Sequence, residues 1–257
     1  MELNLRNKSV FITASTSGIG KATANAFLRE GATVIVNGRN EEKIMGVLEE
    51  FREKYGENHV HAICADMSEE QSMKEASDKV RECVSHIDIV VGNLGTGKPV
   101  SEDKFDLKEW QYMFKMNLLS AVGLIQNVRS LFSEQGGSIA LISSLAAHDR
   151  IGAPPAYAAS KAGIVSLVKY AAPILSEYNI RINGVSPGNI FFEGGRWEEL
   201  VAQNLAGTKE YIEKEVPMKR FGRVEEVAET LLFLCSDKSS FSTGAIVQVD
   251  GGQGKGY

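Results

Sequence analysis

The chain has 257 residues, 43% hydrophobic and 24% charged, with 28 Lys and Arg against 33 Asp and Glu for a formal charge of -5. That balance excludes a disordered chain and a membrane-embedded one, and the absence of a dense basic run argues against a nucleic-acid partner. Three cysteines, Cys64, Cys83 and Cys235, are too few and too scattered for a disulfide framework or a clustered zinc site.

Taken in chain order, short apolar runs alternate with longer amphipathic stretches. Val10-Phe11-Ile12 precedes a helix from about 19 to 30, and Val34-Ile35-Val36 precedes a helix near 41–55. The pattern repeats with a strand at 60–65, a helix near 69–85, a strand at 87–91 and one long helix near 107–132. A strand at 138–142, a helix near 156–178 and a strand at 181–185 follow. Near-continuous apolar strands bounded by glycine are covered on both faces, so the sequence predicts a doubly wound parallel α/β sheet. No linker or repeat divides it, and one domain over 1–257 is expected. The rhythm breaks between Pro187 and Met218, where no strand is predicted and two short helical patterns carry Trp197, Leu200, Tyr211 and Ile212. An insertion at 189–218, after a strand's carboxyl end, reads as a lid over a ligand crevice or as a surface helical hairpin.

Two turns carry nucleotide chemistry. Thr13-Ala14-Ser15-Thr16-Ser17-Gly18-Ile19-Gly20 links the first strand to a helix. Glycines there let backbone approach a pyrophosphate, and the helix amino terminus offers unpaired N–H groups. At the end of the second strand stands Asn37-Gly38-Arg39-Asn40. With no acid to hold a ribose diol and a guanidinium able to pair with a phosphate, this points to NADPH over NADH. Asp66, after the third strand, either accepts a hydrogen bond from an adenine amino group or caps the following turn.

Tyr157-Ala158-Ala159-Ser160-Lys161 places a phenol and an ammonium on one helix face, and a nearby cation is expected to lower the phenol's pKa. Such a pair arises readily by chance, so context decides. Upstream, the strand Ile139–Ile142 ends in Ser143-Ser144, which puts a hydroxyl at the carboxyl edge of the same sheet.

This combination resembles the short-chain dehydrogenase/reductase family. The resemblance runs through the turn at 13–20, Asn93-Leu94-Gly95, Asn117, Ser144, Tyr157, Lys161, Pro187-Gly188 and Val249-Asp250-Gly251-Gly252. It implies a Rossmann-type fold and hydride transfer between a nicotinamide and a small carbonyl or secondary alcohol substrate. Tyr157 would exchange the proton, Lys161 would lower its pKa and hold the nicotinamide ribose, Ser144 would polarise the carbonyl, and Asn117 would help hold a water. Thr13, Ser15, Ser17, Gly18, Ile19, Gly20, Arg39, Asp66, Asn93, Tyr157, Lys161, Pro187, Gly188 and Ile190 would bind the dinucleotide. The resemblance also implies a homotetramer; no metal is expected, and the lack of a signal-peptide core or membrane span points to the cytoplasm. Ala14, Gly92, Leu94 and Phe192 depart from the family pattern. Ala14 fits the turn if its φ is negative, and Phe192 removes a hydroxyl that commonly touches the cofactor. A catalytically silent dinucleotide sensor of the same fold is the alternative; enoyl reductases are disfavoured because they usually space tyrosine and lysine by seven.

Overall fold

Val10, Phe11 and Ile12 are all 0% exposed, because helices cover both faces of the strand they form. The structure is a computed structural model that describes residues 2–255, so Met1, Gly256 and Tyr257 of the expected domain lie outside the described residues. The chain runs β1 (Ser9–Ile12), α1 (Gly18–Arg29), β2 (Thr33–Gly38), α2 (Glu41–Tyr55), β3 (Val60–Cys64), α3 (Glu70–Cys83) and β4 (Ile89–Gly92). It continues with α4 (Leu107–Phe114), α5 (Ser120–Val128), β5 (Gly137–Ile142), α6 (Pro155–Ser176), β6 (Ile180–Pro187) and β7 (Ile190–Phe191). Last come α7 (Arg196–Gln203), α8 (Leu205–Glu215), β8 (Gly222–Arg223), α9 (Val224–Cys235) and β9 (Ile246–Val249).

The main sheet has 7 strands in the order β3-β2-β1-β4-β5-β6-β9. Every pairing in it is parallel. Strand alternation sorts the core into two layers. Val10 and Ile12 pack with Phe27, Phe51 and Leu231 on the α1, α2 and α9 side. Phe11 turns the other way, to Val80, Leu124 and Ile164 from α3, α5 and α6. The strand order reverses between β1 and β4, and the loops at their carboxyl ends part there to leave a crevice.

Two expectations need correction. The segment after Pro187 does contain a strand: β7 pairs with β8 through Ile190↔Gly222 and Phe191↔Arg223, closing the base of the α7–α8 segment. A strand of two residues carries no periodicity to read. The single long helix expected near 107–132 is also interrupted. Lys115–Leu119 widens into a π turn between α4 and α5, and Arg129–Leu131 ends as a 3-10 turn. The wide turn buries Met116 and Asn117, a placement that π turns often serve at functional sites.

Candidate active site

The crevice at the strand reversal is a 340 Å3 cleft lined by Ser17, Gly18, Ile19, Asn93, Ser144, Tyr157, Lys161, Pro187, Gly188 and Ile190 among the residues singled out from sequence. Gly95, Thr96, Gly97, Phe192 and Trp197 also line it. A larger cavity, of 430 Å3, opens elsewhere around Lys8, Asp88 and Arg181 and holds none of the candidate residues.

The turn after β1 is built to leave donors free. Ser17 stands at the α1 N-cap without a side-chain cap bond, and no acidic residue occupies the first turn. The first N–H groups of α1 therefore remain available to an anion. Gly18 adopts φ +53°, and a Cβ there would come within 2.7 Å of the Phe192 ring. Phe192 thus covers the turn with an apolar face, in place of the hydroxyl that the family commonly has there. Ala14 adopts φ +49° rather than the negative value expected. Two bonds hold it there: Ala14 N–H donates to Asn37 Oδ1 at 3.1 Å, and Asn93 Nδ2 donates to the Ala14 carbonyl at 2.9 Å. The conformation costs roughly 1–2 kcal/mol for a residue with a Cβ.

Several residues assigned to cofactor contact also bond within the turn and its surroundings. Ser15 is 0% exposed; its hydroxyl donates to the Ile12 carbonyl and accepts from Asn37 N–H. Thr13 Oγ1 accepts from the N–H groups of Asn93 and Leu94 at 2.9 and 3.2 Å, tying β1 to the end of β4. Gly20 is buried beneath the turn. Arg39 projects from the end of β2 with its side chain 71% exposed, and its guanidinium lies 4.0 Å from Asp66 Oδ2. Asp66 spends Oδ1 on the Ser68 N–H and hydroxyl. Burial raises the carboxyl, but the Ser68 bonds and the Arg39 charge outweigh it, so Asp66 sits below its ordinary pKa and stays ionised. It therefore shapes the turn with one oxygen and faces Arg39 with the other.

At the other wall, α6 carries Tyr157 and Lys161 on one face, and β5 delivers Ser144 to the rim. Ser144 Oγ accepts from Ala146 N–H at 3.2 Å and hydrogen-bonds the Tyr157 hydroxyl. Lys161 is 4% exposed; its Nζ donates to the Ile142 carbonyl at 2.8 Å and stands 6.0 Å from the Tyr157 ring centroid. Burial lowers the lysine to about 8. The expected depression of the phenol is not found. Burial pushes Tyr157 above its ordinary value, and the Ser144 bond offsets this only in part. The ammonium is spent first on a carbonyl, and the phenol sits in a poorly hydrated wall, so desolvation wins.

Asn117 is 1% exposed in the π turn. Its Oδ1 accepts from Thr96 N–H at 2.8 Å, and its Nδ2 donates to the Thr96 and Met113 carbonyls, each at 3.0 Å. The side chain expected to hold a water clamps the loop after β4. A Cβ on Gly95 would lie 2.7 Å from Asn117 Oδ1 and 2.9 Å from Lys161 Nζ, so the loop passes both only because residue 95 has no side chain. Glu109 of α4 escapes a sequence reading, since an acid in a first helical turn looks solvated. It is 3% exposed, and its Oε2 accepts from the N–H groups of Val100 and Ser101 at 2.7 and 3.2 Å. His148, in the loop after β5, hydrogen-bonds Ser186 Oγ at 2.9 Å.

A family model described as enoyl-(acyl carrier protein) reductase matches residues 13–253. A 3-oxoacyl-(acyl-carrier-protein) reductase of Aquifex aeolicus is 33% identical over 98% of this chain and 99% of its own. The structure of L-sorbose reductase from Gluconobacter frateurii complexed with NADPH and L-sorbose superposes with a TM-score of 0.92, at 29% identity, over 100% of both chains. A 7α-hydroxysteroid dehydrogenase complexed with NADH and 7-oxo glycochenodeoxycholic acid gives 0.88, at 31% identity, over 98% of this chain and 96% of that one. Sheet order, motif order and these similarities together make the chain an oxidoreductase of the short-chain dehydrogenase/reductase family.

Proposed function

We propose that this protein is an NADPH-preferring reductase that converts a small ketone or aldehyde into an alcohol, with Tyr157 as the proton donor. The observation that carries the reading is the meeting of Tyr157, Ser144 and Lys161 in one cleft beside the Gly18 turn. The residues fit a nicotinamide dinucleotide: uncapped N–H groups at α1 suit its pyrophosphate, and Arg39, largely exposed at the end of β2 with only a 4.0 Å pairing to Asp66, suits a 2′-phosphate. When bound, that cofactor supplies the hydride taken up by the carbonyl carbon.

The chain supplies the rest. Tyr157 gives its hydroxyl proton to the carbonyl oxygen, and its raised pKa keeps it in the protonated form that reduction consumes. Ser144 turns its single hydroxyl proton to the substrate oxygen, stabilising charge as it develops. Lys161, held at the Ile142 carbonyl, directs its remaining N–H bonds toward the phenol and the ribose. Asn117 acts through the Gly95–Thr96 loop by fixing the opposite wall. Tyr157 and Lys161 share one helical face four residues apart, which favours carbonyl reduction over the enoyl chemistry in the matching model's description.

The segment around α7 and α8 acts as a lid over this cleft, with Trp197 on its inner side. Leu107, Tyr170 and Ile174 are exposed on α4 and α6, which supports assembly into a homotetramer through these helices. No helix of the described residues is long and apolar enough to cross a membrane, in keeping with action in the cytoplasm. The test is NADPH oxidation against L-sorbose, an acetoacetyl thioester and a 7-oxo bile acid, followed by kinetics of Arg39→Ala. Turnover of at least one ketone is expected, with Arg39→Ala raising the KM for NADPH roughly tenfold and leaving that for NADH within about twofold. Equal effects on both cofactors contradict the phosphate contact, and inertness toward every carbonyl contradicts the reductase reading.

A further inference from the structure

The carboxy-terminal turn reaches the cleft through a chain of side chains. Gln253 is 3% exposed and Asn189, just past the Pro187-Gly188 rim, is 6% exposed. Asn189 Nδ2 donates to Gln253 Oε1 at 2.9 Å, and Gln253 Nε2 donates to the Tyr211 hydroxyl at 2.9 Å. Tyr211, on α8, stacks on Trp197 of α7 with ring centroids 5.5 Å apart and planes at 25°. Trp197 then forms part of the cleft wall with Tyr157 and Phe192, while Phe221 meets it with centroids 5.2 Å apart. The turn that carries Gln253 is itself fixed. The Asp250 carboxylate accepts from the N–H groups of Gly252 and Gly254 at 3.0 and 2.7 Å, and Met218 N–H donates to the Gly251 carbonyl at 3.2 Å.

An offset aromatic stack resists separation but little resists sliding, so stacking alone does not fix where the indole stands. A buried primary amide held at both ends does fix the phenol, because shifting Tyr211 strands a donor away from water. We propose that Gln253 is a positioning residue that sets substrate selectivity: through Tyr211 it holds the Trp197 ring as the substrate-facing wall of the cleft. The inference rests on the carbonyl-reduction reading for its kinetic consequence and on geometry alone for its structural one.

The chain has 2 tryptophans, so Trp110→Phe leaves Trp197 as sole reporter. In that background Gln253→Met and Tyr211→Phe are compared by acrylamide quenching, and by kcat and KM for whichever of the three test carbonyls is reduced fastest. Tyr211→Phe keeps the ring and serves if Gln253→Met fails to fold. Each variant should raise the Trp197 quenching constant about twofold and the ketone KM about tenfold, with kcat and the KM for NADPH within about twofold; the double variant should be no worse than either single one. Unchanged quenching in Tyr211→Phe overturns the relay, as does a loss confined to kcat. Raised quenching with an unchanged ketone KM overturns the selectivity role. If the parent reduces no ketone, raised quenching still supports the relay, and the reductase reading alone fails.

Discussion

Lys161 sets the pH behaviour of the site. Burial lowers its ammonium from 10.5 to about 8, while the neighbouring phenol moves upward. Below that value the pair is ammonium and neutral phenol, the state that the proposed reduction needs, so kcat/KM for reduction should decline as pH rises through about 8. Stability follows the opposite course. Because the folded pKa is lower than the unfolded one, the unfolded chain holds the extra proton between about 8 and 10.5, and native stability gains as pH climbs through that window. Lys161→Met should therefore be more stable than the parent at pH 7 by at most about 3 kcal/mol, a gap that closes toward pH 10. Urea unfolding at the two pH values checks this, and a gap that widens with pH contradicts it.

At the scale of elements, α4 and the π turn beside it hold the loop that faces the catalytic helix. Glu109 takes the Val100 and Ser101 amides, and Asn117 takes both backbone groups of Thr96. Glu109→Ala strands N–H groups at the loop and should cost about 1–3 kcal/mol by chemical denaturation. It should lower kcat/KM with little change in NADPH affinity. A stable variant with unchanged kcat/KM would show that the loop holds itself. Much of this architecture is legible in the sequence, because apolar runs such as Val34-Ile35-Val36 and the Thr13–Gly20 turn each answer to a local rule. The pair Tyr157 and Lys161 is legible for the same reason, since helical spacing alone puts both on one face. Glu109, Gln253 and the left-handed Ala14 are not. Gln253 and Ala14 meet partners from well apart in the chain, and a buried acid such as Glu109 looks like any surface one until the fold encloses it. The two-residue β7 and the π turn at Lys115–Leu119 escape for another reason: neither is long enough to impose a period.

At the scale of the whole molecule, α4 and α6 carry large apolar side chains that the described residues leave exposed. Tyr170 is 74% and Ile174 57% exposed on α6, and Leu107 is 68% exposed on α4. Exposed apolar groups clustered on one face mark an interface. If the proposed homotetramer assembles through these helices, Tyr170→Glu with Ile174→Glu should reduce the particle from four copies to fewer in light scattering, and unchanged mass would contradict that interface. The account as a whole turns on one oxygen atom, the Tyr157 hydroxyl. Tyr157→Phe keeps the ring and removes only the donor, so NADPH titrated by its fluorescence should bind within about threefold of the parent while ketone reduction falls by about 100-fold or more. Reduction at the parental rate with intact NADPH binding would contradict the mechanism outright.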